Sequence, residues 1–283
     1  MPVKIIRPEA PIPDRLSINP ALAAEWLVAF LVDECKRRRK IETAVLGLSG
    51  GVDSAVTAFL CARAFGPKNT FAFRMPYKIS SQESLDHAQL VIDELGLNER
   101  TIEITAMVDG YLAEEPDADA TRIGNICARS RMIVLFDQSA KLKALPIGTG
   151  NKTERLFGYY TWHADDAPPI NPLGDLYKTQ VYELARYLDV PKKILDKAPT
   201  ADLVAGQTDE GDWGITIELA DRILSLMISG YPPDKVVEMG FRREDVDLVH
   251  GKVAKTHWKR RLPTVAMLSD TAIGEYYLRP VDY

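Results

Sequence analysis

The amino-acid sequence predicts an α/β fold, a parallel sheet flanked by helices with a helical C-terminal extension, and three observations carry that expectation. Short apolar runs alternate with helical stretches through the first half of the chain. One of those runs meets a Ser-Gly-Gly turn and then an apolar-periodic segment, the strand, turn and helix of a parallel unit. After residue 179 the periodicity is helical only.

The elements follow in order. Asn19-Pro20 marks a helix start, and Trp26, Leu27, Phe30 and Leu31 are spaced for one face of that helix. Strands are predicted at 43–48, 70–74, 100–104 and 144–147, each pair separated by a helical stretch, and that alternation specifies a parallel sheet. A helix over 81–95 carries a Ser80…Glu83 capping-box signature and apolar positions Leu85, Ala88, Val91, Ile92 and Leu95. Prolines at 168, 169 and 172 and weak periodicity make 160–173 a long loop, a feature that in compact domains is mobile or functional. Helices resume at 179–188, 215–229 and about 243–255, before an irregular tail. In such a sheet ligands collect at the carboxyl ends of the strands, where the loops 49–54, 75–80 and 148–152 emerge.

At 283 residues, with 46% hydrophobic and 27% charged residues, the chain suits one large domain over 1–283, with an N-terminal helical arm over about 1–42 and a C-terminal helical part over about 215–283. No apolar run is long enough to span a bilayer and the first residues lack an apolar signal core, which implies a cytoplasmic protein with no membrane partner. Cys35, Cys61 and Cys127 are too few and too scattered for a disulfide framework or a zinc cluster, and read as small buried side chains. A net charge of -5 argues against a nucleic-acid partner. The basic run from Lys36 to Lys40 reads as the solvated C-terminal end of a helix, and the acidic patch over 114–119 as a solvated loop.

The segment from Ala44 to Val56 carries the chemistry. Gly50 and Gly51 have no side chains to keep phosphate oxygens off the backbone N–H groups, and the following helix directs its positive dipole end at the same spot. Ser49 and Ser54 add hydroxyls, and Asp53 adds a carboxylate suited to magnesium beside the phosphates. A plain glycine turn joining strand to helix is the alternative. No lysine follows the glycines, so this is not the common Gly-Lys-Ser/Thr nucleotide loop. The run Ser-Gly-Gly-Val-Asp-Ser resembles the pyrophosphate loop of the ATP pyrophosphatases, which split ATP between its α and β phosphates.

Further segments narrow the resemblance: Gly124 to Met132, Gly148 to Glu154, Lys178, Lys197 to Leu203, and Thr208-Asp209-Glu210. Together they resemble the NAD synthetases, in particular the stand-alone ammonia-dependent kind, from about residue 45 through 261. The resemblance implies a Rossmann-like sheet and amidation of deamido-NAD: ATP adenylates the nicotinate carboxylate, pyrophosphate leaves, and ammonia displaces AMP. It further implies ATP contacts from Gly47, Leu48, Ser49, Gly50, Gly51, Val52, Asp53, Ser54, Thr149, Lys178 and Thr200. Magnesium would be held by Asp53 and Glu154, and catalysis carried by Asp53, Glu154 and Lys178. The acceptor would be bound by Arg129 and Lys259. Family members are homodimers, and that too is carried over as an expectation.

The loop departs from the family pattern: Trp162 replaces a lysine, Pro169 an aspartate, and Trp258 a common histidine. Either Trp162 stacks on the nicotinate ring and Asp165 or Asp166 takes over polar contacts of the acceptor, or these residues belong to a differently folded lid. About forty residues precede the phosphate loop, too few for a glutamine-hydrolysing domain, so free ammonia or a separate glutaminase is the expected nitrogen source. Two other readings stay open on sequence: an adenylating amide ligase for a different carboxylate, and an ATP-binding module without turnover.

Overall fold

The structure, a computed structural model, describes residues 16–198, 208–261, 264–266 and 268–269. Strands β1 (Ala44–Gly47), β2 (Thr70–Arg74), β3 (Asn98–Thr101) and β4 (Leu145–Pro146) form a parallel sheet in the order β3-β2-β1-β4. The chain builds outward from β1 to β3 and then returns to add β4 on the other side of β1. That reversal opens a crevice beyond the carboxyl ends of β1 and β4, the position at which α/β sheets bind ligands.

Alternation along β1 explains its central place. Ala44 and Leu46 enter an apolar core with helices α1 (Pro20–Leu31), α2 (Val52–Phe65) and α7 (Lys178–Tyr187), while Val45 meets Phe73, Leu135 and Ala144 on the opposite face. Leu135 belongs to the long helix α5 (Ala120–Leu142), so both sheet faces are covered. Pro146 is tolerated in β4 because that strand is an edge: Leu145 and Ile147 donate to Thr43 and Val45 at 2.9 Å, and no ladder bond is asked of the proline.

Two predicted boundaries move for physical reasons. The third strand is Asn98–Thr101, not 100–104, because the residues that pair with β2 are the polar ones at an exposed edge. The apolar Ile102 and Ile104 lie beyond it and pack against Tyr77, Val108 and Cys127 between α4 (Thr105–Leu112) and α5. Helix α3 (Gln82–Leu95) is capped by Ser81, whose hydroxyl accepts from the Ser84 N–H at 3.2 Å; Ser80 instead accepts from the Tyr77 N–H in the preceding turn at 3.1 Å. Asn19 caps α1 as its sequence suggests, and Leu31 is buried, but Trp26 is 72% exposed and lies outside the predicted face.

Beyond α1 the helix widens to a π-helical turn, Val32–Arg38, and its basic run is paired locally: Arg38 with Asp33 at 2.9 Å and Arg39 with Glu34 at 2.5 Å. In the acidic patch, Asp119 caps α5, and Glu115 and Asp117 pair with Arg122. Cys35, Cys61 and Cys127 are buried free thiols. Among the described residues no helix is long and apolar enough to cross a membrane.

Helices α6 (Lys152–Phe157), α8 (Lys192–Leu195), α9 (Asp209–Trp213), α10 (Ile217–Ile228), α11 (Pro233–Glu238) and α12 (Arg243–Thr256) complete the fold. A second core gathers around Trp213, which meets Phe157 edge-on at 5.1 Å and Tyr159 at 5.6 Å, with Ile223, Leu224, Val246 and Val249 beneath. Phe157 and Tyr177 belong to it, so the C-terminal helices pack directly against the elements that follow β4.

Two stability consequences follow from these contacts. Replacing Ser81 with Ala removes the α3 cap and is expected to cost about 1 kcal/mol of stability, read from a lowered denaturant midpoint at unchanged m. At Gly50, φ is +81° and an added Cβ would lie 2.2 Å from the Ser84 carbonyl oxygen. Gly50→Ala is therefore expected to destabilise the fold by on the order of 2–3 kcal/mol and to distort the loop, read as a lowered melting temperature together with weakened nucleotide binding.

Candidate active site

The turn after β1 is held open by its own side chains. Ser54 Oγ donates to the Gly51 carbonyl at 3.0 Å and accepts from the Ser49 N–H at 3.2 Å, while Ser49 Oγ accepts from the Gly51 N–H at 3.3 Å. Gly51 stands at the N-cap of α2 and supplies no capping side chain, so the first turn of that helix faces the crevice without a side-chain cap among the described residues. Such a helix end, with the glycine bend before it, is an anion cradle. Gly47, Leu48, Ser49, Gly51, Val52, Asp53 and Ser54 all line one large cavity of about 610 Å³.

Opposite the bend stands a charge cluster. Lys178, at the start of α7 and only 3% exposed, directs Nζ to Asp53 Oδ2 at 2.5 Å, to Glu154 Oε1 at 3.2 Å and toward Asp209 Oδ2 at 3.8 Å. Burial by itself would lower the lysine pKa, but the three surrounding carboxylates outweigh it and hold the ammonium well above its ordinary value. Glu154 is pushed up to about 7, mainly by burial and further by the Asp53 charge, against the pull of Lys178. Burial likewise raises Asp209, and among the described residues one of its oxygens, Oδ1, has no hydrogen-bond partner.

Asn151 joins the two carboxylates that the sequence singles out. Its Nδ2 donates to Asp53 Oδ1 at 2.9 Å, its Oδ1 accepts from the Glu154 N–H at 2.9 Å, and its own N–H donates to Glu154 Oε2 at 3.2 Å. This is a capping box at the start of α6, and it fixes the Glu154 side chain beside Lys178. Asn151 is fully buried and was not singled out from sequence, although the Asn-Lys-Thr-Glu spacing of a capping box was there to read. Asp209 was quoted only within a motif, and nothing local gives its position.

The remaining candidates divide. Thr149 lines the cavity with Gly148 and Gly150; Thr200 lies outside the described residues. Lys259 lines the cavity, yet its ammonium donates to the carbonyls of Gly158 at 2.8 Å and Tyr160 at 2.7 Å, and the Tyr160 hydroxyl donates back to the Lys259 carbonyl at 2.7 Å. The 3-10 turn His257–Arg260 is thus laced to the start of the long loop. Arg129 donates to the Trp162 carbonyl at 3.2 Å, while the neighbouring Arg131 lines the cavity and donates to the Met75 carbonyl at 3.0 Å. The Trp162 ring packs edge-on against Trp258 at 5.2 Å and beside His163 at 3.9 Å, on the outer side of the loop rather than on the cavity wall.

The loop is held by two short-range contacts, the Thr161 N–H donating to Asp165 Oδ2 and the His163 N–H to Asp166 Oδ1, both at 2.7 Å, and is tied to α5 where Thr161 Oγ1 donates to Asn125 at 2.8 Å. Asp165 and Asp166 also line the cavity. Among the described residues no three His, Cys, Asp or Glu side chains gather as an all-protein metal cage. Two hard carboxylates beside an anion cradle are the donor set of a magnesium ion that takes its other ligands from phosphate and water. Asp53 and Glu154, both already on one cation, fit that role.

Residues 23–263 match the family described as NAD synthase. The chain is 46% identical over 260 residues to an NH(3)-dependent NAD(+) synthetase of Trichlorobacter lovleyi, covering 92% of this chain and 95% of that one. Its fold is similar to an NMN synthetase from Francisella tularensis, with a TM-score of 0.79, 33% identity, and coverage of 88% of this chain and 99% of that one. It is also similar to an NH3-dependent NAD synthetase from Campylobacter jejuni, with a TM-score of 0.76, 29% identity, and coverage of 88% and 100%. A glycine cradle facing a lysine ringed by carboxylates, on a chain matched over nearly its whole length, leaves one assignment: this protein belongs to the NAD synthase family.

Proposed function

We infer that the protein is an ammonia-dependent NAD synthetase, a carbon–nitrogen ligase that converts deamido-NAD to NAD with ATP. The observation that carries this reading is the juxtaposition of Ser49, Gly51 and the start of α2 with Asp53, Glu154 and Lys178 in one cavity, which Gly50 shapes without lining. The substrate carboxylate attacks the α phosphorus of ATP, the α–β bond breaks, and pyrophosphate departs. Ammonia then attacks the acyl carbon of the adenylate and AMP leaves with the carboxyl oxygen.

Each residue has a physical task in that sequence. The N–H groups of the Gly50–Gly51 bend and the first turn of α2 hold the terminal phosphates. The Lys178 ammonium, kept charged by its carboxylates, neutralises the pyrophosphate as it leaves. Asp53 and Glu154 would hold magnesium, which supplies charge neutralisation on the phosphate oxygens when bound. Thr149 borders the nucleotide, as Thr200 does on the family pattern. Arg129 and Lys259 act through the loop that walls the acceptor pocket, and Trp162 braces that loop through Trp258. Positioning and charge stabilisation supply most of the acceleration.

Helix α7 packs in the first core through Val181, Leu184 and Ala185, while Tyr177 at its N-cap joins Phe157 of α6 in the second, which supports treating the chain as one catalytic unit. A homodimer is supported by the exposed apolar residues Met107 and Tyr111 on α4 with Ile133 and Phe136 on α5. Free ammonia, or ammonia from a separate glutaminase, is the nitrogen source in this reading. The similarity to a chain named NMN synthetase favours one competing acceptor, nicotinate mononucleotide.

Three outcomes test the reading. Purified protein with ATP, magnesium and ammonium is expected to release AMP and pyrophosphate on addition of deamido-NAD, with a higher kcat/KM than on nicotinate mononucleotide; formation of ADP, or silence with both acceptors, defeats it. Asp53→Asn is expected to cut kcat by on the order of 100-fold or more with an unchanged circular-dichroism spectrum. Cation binding needs Glu154 ionised, so magnesium–ATP affinity should rise with pH through about 7, and Glu154→Gln should flatten that calorimetric profile.

A further inference from the structure

Helix α10 sends one side chain into the active-site framework, Asp221. It is wholly buried, and its neighbours on the helix, Ala220, Ile223 and Leu224, lie in the apolar core around Trp213. A carboxylate in that setting is costly unless every lone pair finds a donor. Three do: Thr153 Oγ1 donates to Oδ1 at 2.6 Å, and the N–H and Oγ1 of Thr179 both donate to Oδ2 at 2.9 Å.

The identity of those donors is what matters. Thr153 immediately precedes Glu154 on α6, and Thr179 immediately follows Lys178 on α7. The two helices are stitched a second time, because Thr153 Oγ1 accepts from the Lys178 N–H at 2.9 Å. One fixed carboxylate therefore sets the first turns of both helices that deliver charge to the phosphate site. It also places a negative charge at the N-terminus of α7, where the helix dipole favours it. An alanine or leucine in its place would pack into the same core but would leave the Thr179 N–H without its partner and release the register between Glu154 and Lys178.

We propose that Asp221 is a positioning residue for adenylation: through Thr153 and Thr179 it holds Glu154 and Lys178 at the separation the departing pyrophosphate requires. It touches no substrate itself. This inference rests on the NAD synthetase reading given above and assigns to the C-terminal helices a part in the chemistry as well as in packing.

The test compares Asp221→Asn with Leu226→Ala, a change on the same helix that opens the same apolar core without touching a hydrogen bond to α6 or α7. Melting temperature and steady-state kinetics with magnesium, ATP, ammonium and deamido-NAD are measured for both. In Asp221→Asn one amide N–H must face Thr153 or Thr179, so kcat per folded molecule should fall on the order of 10- to 100-fold, with the KM for deamido-NAD within about threefold of the starting protein. Leu226→Ala should lower the melting temperature and leave kcat per folded molecule within about twofold. Equal kcat losses in the two variants, or an unchanged kcat in Asp221→Asn, overturn the proposal. If Asp221→Asn does not fold, Thr179→Val, which keeps the backbone bond and deletes the hydroxyl bond, is read against the same criterion. The unsubstituted protein is the separate arm: its failure to turn over deamido-NAD defeats the activity reading, whereas an active parent with indifferent variants defeats only the role of Asp221.

Discussion

A lysine that is 97% removed from solvent stays charged only if opposite charges surround it, and the architecture around the crevice is organised to provide them at Lys178. Its ammonium draws Asp53 from the helix after β1, Glu154 from the helix after β4, and Asp209 from the C-terminal part toward one point. Each carboxylate, in turn, is tolerated in a partly desolvated cavity because the lysine is there. Mutual dependence of this kind binds three distant stretches of chain into one site, and it leaves the cluster with more negative charge than positive. Across the cavity stands the positive dipole end of α2, and that pairing of charges is what the proposed binding of a phosphate chain with a divalent ion would use.

The sheet order puts the cluster where it is. Because β4 joins the far side of β1, the segments that follow these two strands face one another across the crevice. The segment after β1 contributes donors, and the one after β4 contributes Asn151 and Glu154. Asn151 bridges them in a fully buried setting: its amide nitrogen donates to the Asp53 carboxylate, its backbone N–H to the Glu154 carboxylate, and its amide oxygen accepts from the Glu154 N–H. The C-terminal helices then lock α6 and α7 from behind through the core around Trp213 and the carboxylate of Asp221.

The cavity wall that the proposed function gives to the acceptor is built differently. It is a loop without regular structure, held by Asp165 and Asp166 on its own backbone, by Lys259 and Tyr160 at one end, and by the tryptophan pair outside. Charged side chains that resemblance assigns to the acceptor are, in this conformation, occupied with carbonyl oxygens: Arg129 with Trp162, and Lys259 with Gly158 and Tyr160. On the proposed function, acceptor recognition would then depend on how that loop is shaped as much as on any single contact.

The amino-acid sequence by itself determined the parallel α/β class, the glycine bend between β1 and α2, and the helices whose caps and periodicity are local. Those features depend on neighbours a few positions apart, so Ser-Gly-Gly-Val-Asp-Ser and Asn19-Pro20 were sufficient to place them. The edge strand was misplaced from sequence because its paired residues are polar, and apolar residues just beyond it carried the stronger signal. Only the tertiary structure decided that Asn151 joins Asp53 across 98 positions, that Lys178 reaches Asp53 across 125, and that Asp221 braces both helices from the C-terminal part. Such contacts are set by the packing of separate helices against one sheet, and no spacing within a single segment encodes them.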